Sequence, residues 1–504
     1  MNLRRLFTRF LPSALLLLCM AVALGTWRAR SHQLVVAAGP RIDIDTQAIA
    51  ARLAGAVRLR TLSEEAPSPQ SLAQSRAELL RLHDYLAQSF PQLHRELQRE
   101  VIGDYSLLYT WKGQDPVARP ILLMAHQDVV PIAPGTETQW HADPFGGEIR
   151  DGFVWGRGAW DDKGNLMAQL EAVEALLGKG FKPQRTIYLA FGHDEENGGA
   201  DGATAIAKLL AQRGVHCEFA LDEGLLITEG IMPGLDAPLA LIGVAEKGSL
   251  SLKLRVTATP GHSSMPPRES AIGILARALE RVEAAPMPVA IGGVATEMFD
   301  TVAPEMHGVN RVVMSNRWLF GPVIRHLLEQ QPSTNAMLRT TTALTIVNAG
   351  NKENVLPGLA EAVVNFRLVP GDTAAAVTEH VRRAIDDPRV TIELASPMDE
   401  ASAVASRSSV AYQSISRATR SLVPDAVVAP GLMIGATDSR HMTAVADNIY
   451  RYSPVRARPA DLARFHGTDE RMAIDNYADL IRFYELLISD SAGVRGNGGA
   501  SSPQ

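Results

Sequence analysis

The chain predicts a mixed α/β fold, a sheet flanked by helices, with a smaller ferredoxin-like α+β unit inserted into it. Three observations predict it. Strand-like apolar runs alternate with helical stretches from about residue 43 to 248, a strand-helix-strand-strand-helix-strand order follows at 250–394, and βα character resumes after residue 395. Strands alternating with helices imply an open sheet whose ligand crevice lies at the strand ends. The middle order is the split β-α-β arrangement. A chain of 504 residues also exceeds one compact core.

The first thirty residues read as an address. Arg4, Arg5 and Arg9 precede eighteen uncharged residues, Phe10 to Trp27, centred on Leu15, Leu16, Leu17 and Leu18. A basic start followed by an apolar stretch is a signal peptide or a single membrane anchor. The run is long for a cleaved leader and minimal for a span of roughly 18 to 20 residues. Small residues near Ala23 and Gly25 offer a cleavage site. The expected product is exported: periplasmic, secreted, or held at a membrane by this segment alone.

Residues 40–248 form the first part of the larger unit. Helical periodicity marks 71–88 and 166–177, and apolar strand-like runs mark 120–125, 186–192 and 218–221. Residues 249–396 form the inserted unit: strands at 250–258, 340–347, 361–369 and 390–394, helices at 270–285 and 372–386, and an insert rich in Met and Pro at about 286–339. The larger unit resumes at 397–490 and closes on an apolar helix at 476–488. A Gly/Ser-rich tail at 491–504 reads as disordered.

Composition narrows the function classes. The chain is 46% hydrophobic, 21% charged and 6% aromatic, an ordinary globular balance. A net charge of -6 gives no basic footprint, so nucleic acid is not an expected partner. Of two cysteines, Cys19 lies in the N-terminal run, leaving Cys217 alone in the folded part. A CxxC metal site is excluded, and any metal must be held by His, Asp and Glu.

Five short segments carry those residue types, each after an apolar run or a Gly-rich turn. His126 ends a buried-strand pattern, and Asp128, two residues on, is placed to accept the other imidazole N–H and fix the tautomer. A structural hydrogen-bonded histidine is the plainer reading of that pair. The loop from Gly156 to Gly164 packs Asp161 and Asp162 between glycines and a helix start. Adjacent carboxylates are costly without cations, although one of them would also serve as a helix cap. Glu195 and Glu196 follow a strand, where one acid binds metal while its neighbour takes a proton from water. A solvated acidic turn is the alternative. Asp222-Glu223 and Phe465-His466-Gly467-Thr468-Asp469 complete the set. There is no HExxH and no GxSxG.

These segments, in this order and spacing, resemble the M20 metallopeptidases over about residues 50–488. The resemblance implies a zinc-peptidase-like catalytic sheet and an inserted lid or dimerisation domain. It implies two Zn²⁺ per chain, with Co²⁺ or Mn²⁺ as alternatives. His126 would bind the first metal with Asp128 behind it, and Asp161 would bridge both, its bond to Asp162 being cis. Glu195 would be the general base and Glu196 a ligand of the second metal. Asp222 would complete the first site and His466 the second, with Glu223 the alternative to Asp222.

Further likenesses concern substrate. Gly261-His262-Ser263-Ser264 resembles the family's histidine loop, which in dimeric members reaches the partner's active site; a turn residue is the plainer reading of His262. Asn354 and Arg367 match the carbonyl- and carboxylate-binding pair, although a strand arginine facing solvent stays open for Arg367. Ser439, in Gly435-Ala436-Thr437-Asp438-Ser439-Arg440, matches the loop beside the substrate carboxylate. The insert at 286–339 is similar to the carboxypeptidase S and secreted N-fatty-acyl-amino-acid hydrolase branch. A small peptide or N-acyl amino acid substrate and a homodimer are therefore expected, with any membrane contact confined to the N-terminal segment. The insert's Met and Phe residues read as packing first and as an acyl pocket second.

Overall fold

A computed structural model describes residues 3–37, 42–289 and 292–493. Seventeen strands are named β1 to β17 in chain order. The large sheet uses β1 (Gln98–Ile102), β2 (Ser106–Trp111), β3 (Ile121–His126), β6 (Ile187–Gly192), β7 (Cys217–Thr228), β8 (Leu239–Glu246), β15 (Val427–Met433) and β16 (Ala446–Ala457), in the order β1-β2-β6-β3-β7-β16-β8-β15. The β6-β3-β7-β16 block is parallel, while β1 and β2 add an antiparallel edge. A three-stranded ribbon joins β4 (Glu148–Arg150), β5 (Phe153–Trp155) and β17 (Arg471–Ala473).

β3 and β6 are almost wholly apolar because both faces are covered. All six residues of β3 are buried. Leu123 and Tyr109 pack into the core on one face and Leu122, Met124 and Leu108 into that on the other, as the two-residue strand period requires. This buried block fixes where β3, β6 and β7 end. The ends of β3 and β6 carry His126 and the Glu195 turn, and the Asp222-Glu223 pair follows directly on the part of β7 that pairs with β3.

A second sheet contains β9 (Gly248–Thr257), β11 (Thr341–Ala349), β13 (Leu359–Leu368) and β14 (Val390–Leu394), ordered β11-β13-β9-β14 and antiparallel throughout. Its strands run in the spatial order second-third-first-fourth, the split β-α-β topology. Burial alternates along β13, and Val364 and Phe366 pack with Leu275 and Val377 from the helices Ala271–Ala284 and Ala374–Ile385. Ser270 and Thr373 cap those helices, accepting from Gly273 N and Ala376 N. A two-residue ribbon pairs β10 (Gly261–His262) with β12 (Val355–Leu356).

The insert is helical at Gly293–Val302, Gly308–Ser315, Arg317–Glu329 and Pro332–Leu338. Met298, Phe299 and Met306 pack with Leu239, Val427 and Ala429, so these residues serve packing against the edge of the large sheet. At the N-terminus a helix covers Leu3–Arg28. Among the described residues no helix is long and apolar enough to cross a membrane. The tail expected at 491–504 lies, from residue 494, outside the described residues.

Candidate metal centre

His126 ends β3 with its side chain almost fully buried, at 1% exposure. Its Nε2 lies 3.0 Å from Asp161 Oδ1, and its Nδ1 faces Asp128, 3.0 Å from the carbonyl oxygen and 3.4 Å from Oδ1. Asp128 also accepts from the backbone N–H groups of Glu195 and Glu196, at 3.2 and 3.1 Å. Asp128 thus sets the histidine ring through its carbonyl oxygen and the acidic turn through its carboxylate.

Asp161 is 4% exposed, and its second oxygen, Oδ2, lies 2.6 Å from His466 Nε2. Each oxygen therefore faces a different imidazole. The Asp161–Asp162 peptide is cis, as the resemblance implies. Asp162 stands at the N-cap of the helix Lys163–Gly178 but makes no capping bond; its Oδ2 accepts from His126 N at 3.2 Å. Glu196 Oε1 is buried without a hydrogen-bond partner and lies 3.3 Å from His466 Nε2. The His466 side chain is 46% exposed, stacks on Phe465 and sits at φ 55, a left-handed conformation uncommon for a side chain of this size.

At the Asp222-Glu223 pair the geometry differs from the expectation. Both Asp222 oxygens are taken by backbone donors, Glu223 N at 3.0 Å and Ser439 N at 2.8 Å. Glu223 is the residue that groups with His126 and Asp161, their ligand atoms lying within 4.8 Å of one another. Neighbouring strand residues face opposite sides, so only one of the pair turns to the centre. A register shift opposes Arg451 to Asp222 and Tyr452 to Leu225, leaving Glu223 and Gly224 outside the ladder, with Gly224 at φ 142 against Arg451 Cβ. That bulge aims Glu223. Two further clusters meet the same 4.8 Å limit: His126 with Glu195 and Glu196, and Asp161 with Glu196 and His466.

The donor set fits divalent cations. Asp161 and Glu196 lift the His466 imidazole up to about 10. Burial, then neighbouring Asp161 and Asp162, push the Glu223 carboxyl well above its usual range. Burial also raises Glu195, with Asp438 and Glu196 adding to it against His126. So many buried acids demand protons or metal, and oxygen and imidazole donors suit Zn²⁺, Co²⁺ or Mn²⁺.

The remaining predicted residues divide. Arg367, on β13, lines a cavity of about 420 Å³ with Glu195, Glu196, His466, Lys247 and Arg440. Among the described residues Arg367 forms no salt bridge. Ser439 is fully buried; its hydroxyl meets Thr437 Oγ1 at 2.6 Å and its N–H holds Asp222. His262 and Asn354 lie together on the exposed ribbon, where Asn354 O accepts from Ser263 N at 3.1 Å. Neither lines the Arg367 cavity.

Sequence reasoning missed Glu470, which is fully buried and accepts from the backbone beneath Asp161. It missed Glu246 as well, which binds Thr437 and Arg451 and thereby fixes the Ser439 loop. The one available signal was the acid directly after His466-Gly467-Thr468-Asp469. Glu246 had none, because its partners are remote in sequence.

Three comparisons extend this geometry. A model of peptidase family M20/M25/M40 matches residues 122–490. Probable carboxypeptidase S-like 2 of Dictyostelium discoideum is 45% identical over 88% of this chain and 85% of its own length. N-fatty-acyl-amino acid synthase/hydrolase PM20D1 of Homo sapiens is 40% identical over 87% of each chain. The fold resembles the crystal structure of the M20 metallo-carboxypeptidase Sso-CP2 from Sulfolobus solfataricus, with a TM-score of 0.61, 16% identity, and coverage of 88% of this chain and 99% of that one.

Proposed function

We propose, from the premise that this chain belongs to peptidase family M20/M25/M40 and is a metallohydrolase of that family, that it cleaves amide bonds next to a free carboxylate. Its substrates are then C-terminally free peptides or N-acyl amino acids. The observation that carries this reading is the Asp161 carboxylate: one oxygen faces His126, the other His466, with Glu195 and Arg367 around the adjoining cavity.

His126, Asp161 and Glu223 would hold one divalent ion, and Asp161, Glu196 and His466 a second. When bound, such ions polarise a carbonyl and lower the pKa of coordinated water from about 15.7 towards 7. Glu195 takes the proton from the attacking water on its carboxylate and hands it to the leaving amine nitrogen. Asp128 keeps His126 in the tautomer that presents Nε2 inward. Asp222 acts behind the centre, tying β7 to the Ser439 loop. Arg367 is placed to pair with the substrate carboxylate, where a planar guanidinium gives a bidentate contact.

His262 and Asn354 share one exposed ribbon away from the Arg367 cavity. This supports their serving the site of a second copy in a homodimer, with the four-stranded sheet as the lid and dimerisation unit. The basic and apolar start of the chain supports export.

A panel of N-acyl amino acids and C-terminally free dipeptides tests the reading, with the matching C-terminal amides as controls. Hydrolysis should be confined to free carboxylates, stop with a chelator and return with zinc. Cleavage of the amides at equal rates would refute the carboxylate requirement, and hydrolysis unaffected by chelation would refute the metal centre.

A further inference from the structure

We propose that Glu470 and Arg157 are positioning residues that hold the bridging Asp161 in register with His466, and that their pairing sets the affinity of the second metal site. The proposal rests on the two-ion reading above.

Asp161 and His466 come from loops more than 300 residues apart, and the second site exists only where those loops are held together. Neither ligand secures this alone. His466 is half exposed and its backbone is left-handed, so burial does not hold it. Asp161 follows Gly156 and Gly158, both at positive φ; Ala159 and Trp160 of that turn are buried and Trp160 meets Phe465 edge-on, which leaves the backbone N–H groups of the turn still to be paired.

Glu470 and Arg157 supply the missing restraint. Glu470 Oε1 accepts three backbone N–H groups of the Asp161 turn: Gly158 at 2.9 Å, Trp160 at 2.9 Å and Asp161 at 3.0 Å. Its Oε2 accepts from Arg157 Nη1 at 2.5 Å. Arg157 Nη2 then donates to the carbonyl oxygens of His466 and Gly467, each at 3.1 Å. A further bond runs from Gly156 N to Glu470 O at 2.9 Å. Both side chains are buried, at 0% and 1% exposure. The acid therefore grips the Asp161 turn while the arginine of that turn grips the His466 loop.

The chemistry of the pair explains the choice of residues. A carboxylate oxygen has lone pairs enough for converging N–H donors, and its charge strengthens each bond. The guanidinium fork reaches a carboxylate and two carbonyls at once, which a lysine ammonium on a flexible stem does not reproduce. Glutamine at 470 would bring an NH₂ where only acceptors serve, so a backbone N–H or the arginine loses its partner. The first site shares Asp161, but its other two residues, His126 in β3 and Glu223 in β7, are held by the sheet, whereas the second draws both Asp161 and His466 from the gripped loops.

The test is zinc titration of the metal-free full-length protein by calorimetry, with a competing chelator, for wild type, Glu470→Gln and Arg157→Lys. Wild type should take up two ions. In each variant the ion held by Asp161, Glu196 and His466 should bind roughly 10–100-fold more weakly, and the other, which shares only Asp161 with the gripped loops, should lose clearly less. At saturating zinc the activity of the variants should recover, and His466→Ala marks the behaviour of a lost second site. If Glu470→Gln does not fold, Arg157→Lys, which keeps the cation, carries the test. Unchanged affinities at both sites would overturn the proposal, as would equal weakening at both, the mark of a merely structural pair. Uptake of one ion by wild type would sink the two-ion reading itself, and this inference with it.

Discussion

The two halves of the proposed metal centre are built differently. His126 ends β3 and Glu223 lies within the neighbouring β7, 1% and 8% exposed. Glu196 and His466 are carried by a short turn and a loop, and the His466 side chain is 46% exposed. Packing positions the first pair, because the strands cannot shift without opening two hydrophobic cores. Side-chain bonds position the second pair: Asp128 under the Glu196 turn, and Arg157 with Glu470 under the His466 loop. A centre of this kind has one site fixed by the fold and one fixed by a small polar network.

The largest expected effects fall on the strand-built half and on the base. Glu195→Gln should lower kcat by roughly 10²- to 10⁴-fold while metal content stays that of wild type. Full activity would remove Glu195 from the proposed chemistry. Glu223→Gln and Asp222→Asn separate the neighbours. The first should cost an ion, measured by metal analysis of dialysed protein. The second should keep both ions and mainly lower Tm, by the equivalent of about 1–3 kcal/mol, since one of the two backbone N–H groups would face an NH₂ donor and lose its acceptor. The reverse pattern would restore Asp222 as the ligand.

Much of this centre was legible before any coordinates. The gathering of His126, Asp161, Glu195, Glu196 and His466 is legible because each follows an apolar run or a glycine turn, whereas their individual roles rest on the family resemblance. The resemblance implies Asp222 with Glu223 as the alternative, and no residue type announces where a bulge decides between two neighbours. Glu470 and Glu246 were not legible, since their partners are backbone groups or remote side chains. The split β-α-β order showed in plain alternation along half-buried strands. The packing of the 286–339 insert on the large sheet did not, because helix amphipathicity names a buried face without naming its neighbour.

Arg367→Ala sharpens the substrate end of the comparison. Losing a charge-assisted pair of about 1.5–3 kcal/mol should lower kcat/KM roughly 10- to 100-fold for free carboxylates and leave metal content unchanged. An equal loss on neutral amides would argue against carboxylate binding.

The smallest effect is one of pH. In the metal-free protein Asp161 and Glu196 raise His466 from 6.5 up to about 10. A raised folded value gives stabilisation that is full below about 6.5 and is lost as pH rises through about 10. Tm of the metal-free wild type should therefore fall between pH 7 and 10 more steeply than that of His466→Ala. Parallel curves would show that this loop-borne imidazole is not coupled to the two acids.

The most direct test of the centre is anomalous diffraction at the zinc edge from crystals of the zinc-loaded protein. Two peaks about 3.5–4 Å apart, one on each oxygen of Asp161, with His126 and Glu223 at the first and Glu196 and His466 at the second, are the expected result. A single peak, or two peaks that do not share Asp161, would contradict it.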